Sequence, residues 1–176
     1  MLMPAHGDTA QQARPFSILA QAVAGRVLDP LLMRTIRRLA DKHRSIFDRL
    51  GPHVRSSFII DPVEFPFVLH LVANPEALTF RTVPRDALPL HDALIRGRFR
   101  TLFDLVDAGA DGDASFFSRD LEILGNTDAV VTLRNALDDI DGSIAADTAD
   151  LFGPPGRMAL AMVRRRGLAG AGKAAR

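Results

Sequence analysis

Apolar positions recur at two different periods along this chain, and the two alternate. Leu32, Ile36, Leu39, His43, Ile46 and Leu50 step by three or four, which predicts an amphipathic helix over residues 30–50. Asp29 stands where an N-cap is expected and Pro30 at the first helical position, while Gly51-Pro52 closes the segment. Residues 16–28 form a weaker, separate helix before it. Arg34, Arg37, Arg38, Lys42 and Arg49 lie around the rest of the long helix.

Alternation of apolar and polar residues follows. Residues 57–60, 65–72 and 77–83 read as strands, with Asp61-Pro62 and Asn74-Pro75 as the turns between them. Pro66 is confined to a strand start or an edge. Residues 91–95 give a fourth strand and residues 98–108 a short helix with Leu102, Phe103, Leu105 and Val106 inward. Residues 107–113 are a loop, residues 119–124 a strand, and Asn126 or Thr127 caps a helix to Ile140. Val130, Leu133, Leu137 and Ile140 form its stripe. Pro154-Pro155 opens a last helix over residues 156–166, rich in Met158, Leu160, Met162 and Val163. Helices at both ends around a small sheet make the expected class α+β. Residues 1–29 read as an N-terminal extension, 30–166 as the domain and 167–176 as a flexible basic tail.

Composition narrows the chemistry. The 176 residues contain no Cys, Trp or Tyr, so thiolate nucleophiles, disulfides and Cys-ligated metals are excluded. Eleven Phe supply bulk without a polar handle. The net charge of +1 hides a net +5 over residues 1–100, −10 over 101–152 and +6 over 153–176. An acidic middle between basic ends points to different partners for each, or to solvated faces that offset one another.

Motifs for catalysis are weak. Gly167 to Lys173 has the letter pattern of a phosphate loop, but Ala174 replaces the Ser/Thr that would hold Mg²⁺, and no helix can follow it. The five histidines show no metal-ligand spacing. His43 and His70 read as hydrogen-bonded core or edge residues, and His91 and Asp92, as strand neighbours, point to opposite faces. Asp138, Asp139 and Asp141 oppose a helix dipole and read as a solvated acidic face, with a cation site or docking surface as the alternative. Nucleic acid fits poorly, because the basic residues lack interleaved aromatics. No metal, cofactor or catalytic residue is assigned. Arg164, Arg165 and Arg166 after a Met-rich helix suit contact with anionic lipid headgroups, or simply the favourable end of a helix dipole. Arg14 followed by residues 16–23 imitates an export signal, yet Asp8, Ser17 and Gln21 break its pattern, so a cytoplasmic protein is expected, with or without membrane association.

One stretch carries more than patterning. Residues 91–140 combine Asp92, Ile95 and Gly97 with Phe116, Phe117, Leu121, Ile123, Gly125, Asn126 and Thr127. In that order they resemble the sterol carrier protein type 2 family of lipid-binding domains. Phe116 to Ile123 and the helix from Leu133 are similar, within that family, to bacterial accessory factors of oxygen-independent ubiquinone biosynthesis. Asn126 stands where the family usually has Asp, and still caps a helix. Residues 60–90 carry no matching motif, which leaves their register open. The resemblance implies a small, mostly antiparallel sheet with helices over one face enclosing an apolar tunnel, no catalytic residues, and a lipid or isoprenoid quinone as ligand, with other ubiquinone-biosynthesis proteins as partners. Phe103, Phe116, Phe117, Leu121, Ile123, Leu133, Leu137, Met158 and Met162 then line the cavity or else fill an ordinary core. Two other functions stay open from the residues: an interaction subunit docking through 101–152, and a lipid-modifying enzyme using His70 or His91 as base.

Overall fold

The structure is a computed structural model that describes residues 15–105, 121–138 and, further on, 146, 149, 150, 154, 157, 158 and 160–162. Helix α1 (Pro15–Lys42) leads to α2 (Ser45–Leu50) and a single 3₁₀ turn. Strands β1 (Ser57–Pro62), β2 (Phe67–Val72), β3 (Thr79–Pro84) and β4 (Ala93–Gly97) follow. Then come α3 (Phe99–Asp104), β5 (Leu121–Gly125) and α4 (Thr127–Asp138). The five strands lie in the order β3-β2-β1-β4-β5, with β1 and β4 parallel and every other pair antiparallel.

Three sequence expectations need correction. Asp29-Pro30 does not begin a helix, because α1 runs through both residues. Asp29 accepts instead from the backbone N–H and the hydroxyl of Thr82, at 2.7 and 2.9 Å. A carboxylate committed to β3 is no longer available as a cap. The long helix also divides at His43-Arg44, so the predicted stripe continues on a second, redirected helix. Leu39 lies before that break, Ile46 and Leu50 after it, and all three are buried. Finally, Asp61-Pro62 is no turn: both residues belong to β1, aligned with Arg96 and Gly97 of β4. Gly51 closes α2 as expected, with a φ of +50° that favours glycine.

Strand alternation builds two unlike faces. On the first, Phe58, Leu71, Ala93 and Ile95 meet Leu39, Ile46 and Leu50 from α1 and α2, Leu102 from α3, and Val130, Leu133 and Ala136 from α4. Helices therefore cover this face. Helix α1 lies along the outer edge, at β3. There the sulfur of Met33 takes the N–H of Phe80 at 3.0 Å, as Asp29 takes that of Thr82, so the free strand edge is satisfied. The second face holds Ile59, Val68, Val83 and Leu94 as a small apolar patch among polar groups.

The second face is crossed by chain. β3 and β4 run parallel with β2 and β1 between them, so residues 85–92 return over the sheet from one end to the other. Arg85 anchors the start of this strap, pairing with Asp61 and donating to the carbonyls of Pro62 and Phe65. At the far end Asp92 accepts from the N–H of Ser57 at 2.7 Å and gives its own N–H to the Ser57 carbonyl at 2.8 Å. Asp92 also accepts the N–H of Asn126 through its carbonyl at 2.8 Å. Gly125 fits beside it only because it lacks Cβ: its φ is +83° and a methyl would collide with the Asp92 carbonyl. None of the described helices is long and apolar enough to cross a membrane.

Candidate functional site

Four of the residues expected at a cavity come together under the helices. Leu133 is buried in the core cluster on α4, and Leu121, Ile123 and Leu137 pack against that cluster, each only partly buried. Helix α4 is held there by its cap, the Asn126 side chain accepting from the N–H of Ala129 at 3.0 Å. His53 adds a side-chain bond to Asp128 in the first turn of α4, at 2.8 Å. Leu105, just beyond α3, packs against the same cluster and is likewise only partly buried.

Phe103 is placed differently, in a row of rings. Phe67 and Phe65 lie 5.4 Å apart, Phe65 and Phe99 5.2 Å, and Phe99 and Phe103 6.1 Å. The row stands where β1 and β4 finish, and Glu64 fixes it by accepting the N–H of Phe99 at 2.8 Å. Met158 and Met162 are helical but 65% and 60% exposed, outside the described core. Phe116, Phe117, the 107–113 loop, Asp139, Asp141 and Arg164 to Arg166 lie outside the described residues.

The second face contains a pair that the sequence did not indicate. The hydroxyl of Ser57 lies 2.7 Å from Nε2 of His70, beneath the strap. The two are thirteen residues apart, and only the pairing of Ile59 with His70 puts them on one face as diagonal neighbours. Such a pair raises the question of a nucleophile and its base. The hydrogen-bond network answers it. Nδ1 of His70 is buried, with no hydrogen-bond partner among the described residues. If Ser57 gave its proton to Nε2, the ring's one N–H would sit at Nδ1 with no acceptor, at a cost of about 1–3 kcal/mol. If instead Nε2–H donates to Ser57, the hydroxyl turns to the Leu90 carbonyl at 3.4 Å and only a lone pair goes unused. The hydrogen bonds among the described residues favour the Nε2–H tautomer, with His70 donating to Ser57. Burial, Arg81 and His91 all hold its pKa below the ordinary 6.5, in keeping with a neutral ring.

His91 and Asp92 do not combine either. His91 donates through Nδ1 to the Pro89 carbonyl at 2.8 Å, whereas Asp92 serves the Ser57 backbone. Asp61 is 5% exposed and neutralised by Arg85 and by Arg96, the latter at 3.3 Å. Among the described residues no three His, Asp or Glu side chains are grouped to hold a metal ion.

No protein-family model matches the chain, and no curated protein matches it in sequence. Solved structures do resemble it. A ubiquinone synthesis protein described as UbiJ-SCP2 has a TM-score of 0.45 and 19% identity, covering 70% of this chain and 93% of its own. An inverting sec-alkylsulfatase from Pseudomonas sp. has a TM-score of 0.44 and 15% identity, over 54% of this chain but 14% of its own. Sterol carrier protein 2 from Yarrowia lipolytica, in its apo form, has a TM-score of 0.40 and 10% identity, covering 68% of this chain and 93% of its own. The architecture expected from the sequence, a small and mostly antiparallel sheet with helices over one face, is the one observed.

Proposed function

We propose that this protein is a non-catalytic lipid-binding accessory protein, similar to the UbiT type that serves oxygen-independent ubiquinone biosynthesis. It holds an isoprenoid quinone intermediate, or a phospholipid, and presents it to other proteins of that pathway. The observation that carries this reading is that Leu105, Leu121, Ile123 and Leu137 pack against the core yet stay only partly buried. Apolar side chains left half-buried beside a closed core gain about 25 cal/mol for each Å² of apolar surface removed from water, and an alkyl or prenyl chain supplies that cover. The family resemblance of residues 91–140 supports the same reading. Phe116, Phe117, Met158 and Met162 complete the lining when a lipid is held, and Arg164 to Arg166 add contact with anionic membrane.

Native mass spectrometry of the purified chain, with organic extraction of the same sample, tests the proposal. A co-purified lipid, or uptake of a short-chain ubiquinone analogue by the extracted protein, is the expected result. A chain that carries no lipid and takes up neither quinone analogue nor phospholipid would sink it.

A further inference from the structure

An unbroken run of hydrogen bonds leads from a buried histidine to the start of α4. Nε2 of His70, on β2, donates to the Ser57 hydroxyl on β1 at 2.7 Å, and that hydroxyl donates to the Leu90 carbonyl of the strap at 3.4 Å. Asp92 engages both the N–H and the carbonyl of Ser57, at 2.7 and 2.8 Å. The Asp92 carbonyl accepts the N–H of Asn126 at 2.8 Å, and the Asn126 side chain caps α4 at Ala129. One hold on α4 therefore passes through the far end of the strap.

That end is fastened by bonds and by little else. Residues 86–88 and 90–92 are exposed, Leu90 to 98%. A segment with so little buried surface opens at lower cost than the sheet beneath it. His70 is its opposite: the residue is 6% exposed, and Nδ1 has no hydrogen-bond partner among the described residues. A second proton on the ring would give Nδ1 an N–H without an acceptor and would place a charge where water is excluded. Burial first, then Arg81, aligned with His70 on β3, and His91 of the strap hold the ring's pKa below 6.5. Asp92 is the acid that the strap brings to this end, and Asp61, further along the same face of β1, is paired with Arg85 and Arg96.

We propose that the strap is an acid-opened flap: a proton taken up from solvent by His70 frees residues 88–92 from β1, and with them the Asp92 carbonyl that holds the start of α4. The device rests on the lipid-carrier reading for its purpose. Leu133 and Leu137 ride on α4, so a loosened first turn eases the passage of a lipid beside them. His53 also holds α4, through Asp128, but a charge on that ring tightens its bond to a carboxylate. Loosening in acid therefore belongs to His70.

Amide hydrogen exchange across a pH series, corrected for the intrinsic exchange rate, tests the flap. Protection of the Asp92 and Asn126 N–H groups is expected to hold steady above pH 6.5 and to fall by up to about tenfold for each pH unit below it, while β1 and β2 stay protected. His70→Gln, whose amide can still donate to Ser57, removes the fall. Arg81→Gln, an exposed substitution that decides the matter if the buried one unfolds the chain, makes it smaller. Protection that ignores pH, that falls equally in β1, or that falls as far in both variants as in the parent would overturn the proposal. Exchange of a short-chain ubiquinone analogue, followed over the same series, is expected to quicken as the flap opens. A flap that opens without quickening exchange overturns its link to the lipid. A parent that opens in acid and takes up no analogue at any pH removes the carrier reading and leaves the flap in place.

Discussion

The two faces of the sheet use the same strands and are held by opposite means. Phe58 and Ile59 are successive residues of β1, both fully buried, yet Phe58 enters a helix-covered apolar core and Ile59 a small patch under an irregular strap. The helical face closes by area: many aliphatic side chains from four helices meet there, and each contributes without needing a specific partner. The strap face closes by partners. Residues 85–92 form neither helix nor strand, so their polar groups and those beneath them are met one at a time, Arg85 with Asp61 and Ser57 with His70 and Leu90. The lesson is that apolar cover needs amphipathic helices, while a short crossover can cover a sheet only if it brings its own bonds.

Three measurements probe that difference. The largest effect is expected at the helical face, where Phe58→Ala removes a fully buried ring and lowers the urea-unfolding free energy by about 3–5 kcal/mol. A loss under about 1 kcal/mol would mean that the core collapses around the gap and is not closed by packed area. Next comes Asp61→Ala on the strap face. It strands Arg85 and Arg96 without their acid, at about 2 kcal/mol, because both guanidiniums retain some access to water. Asp61→Asn should recover part of that loss; if both variants cost nothing, the strap is not held by this pair.

The smallest effect is a pH dependence on the strap face. The folded pKa of His70 lies below 6.5, so as pH falls the unfolded chain takes up the proton first. Stability contributed by the neutral ring is complete above 6.5 and declines as pH drops toward the folded value. The slope for one proton cannot exceed about 1.4 kcal/mol per pH unit. His70→Gln should flatten the profile by that difference, and an identical profile in both proteins would show that His70 is not held neutral.

Much of the fold was legible in sequence because periodicity is local. Alternation identified all five strands, and Asn126 announced α4 by its own side chain. What misled was chemistry whose partner lay far along the chain. Asp29 looked like a cap and Asp61 like a turn residue. Thr82 is 53 positions from the first, and Arg85 and Arg96 are both distant from the second. Leu121, Ile123, Leu133 and Leu137 lie in or against the core, since helix and strand stripes point inward by rule. Ser57 beside His70 had no sequence signal, and neither did the outward Leu90, because both depend on the β1–β2 register and on where the strap crosses.

The sequence by itself determined which side chains each element would turn inward, and that the chain lacks thiol, phenol and indole chemistry. It also marked a net −10 segment between basic ends. Only the tertiary structure decided that one face would be sealed by helices and the other by eight residues of strap. The reason is physical: hydrophobic period is a property of neighbours in the chain, whereas a buried polar group takes whatever partner the folded register brings within about 3 Å.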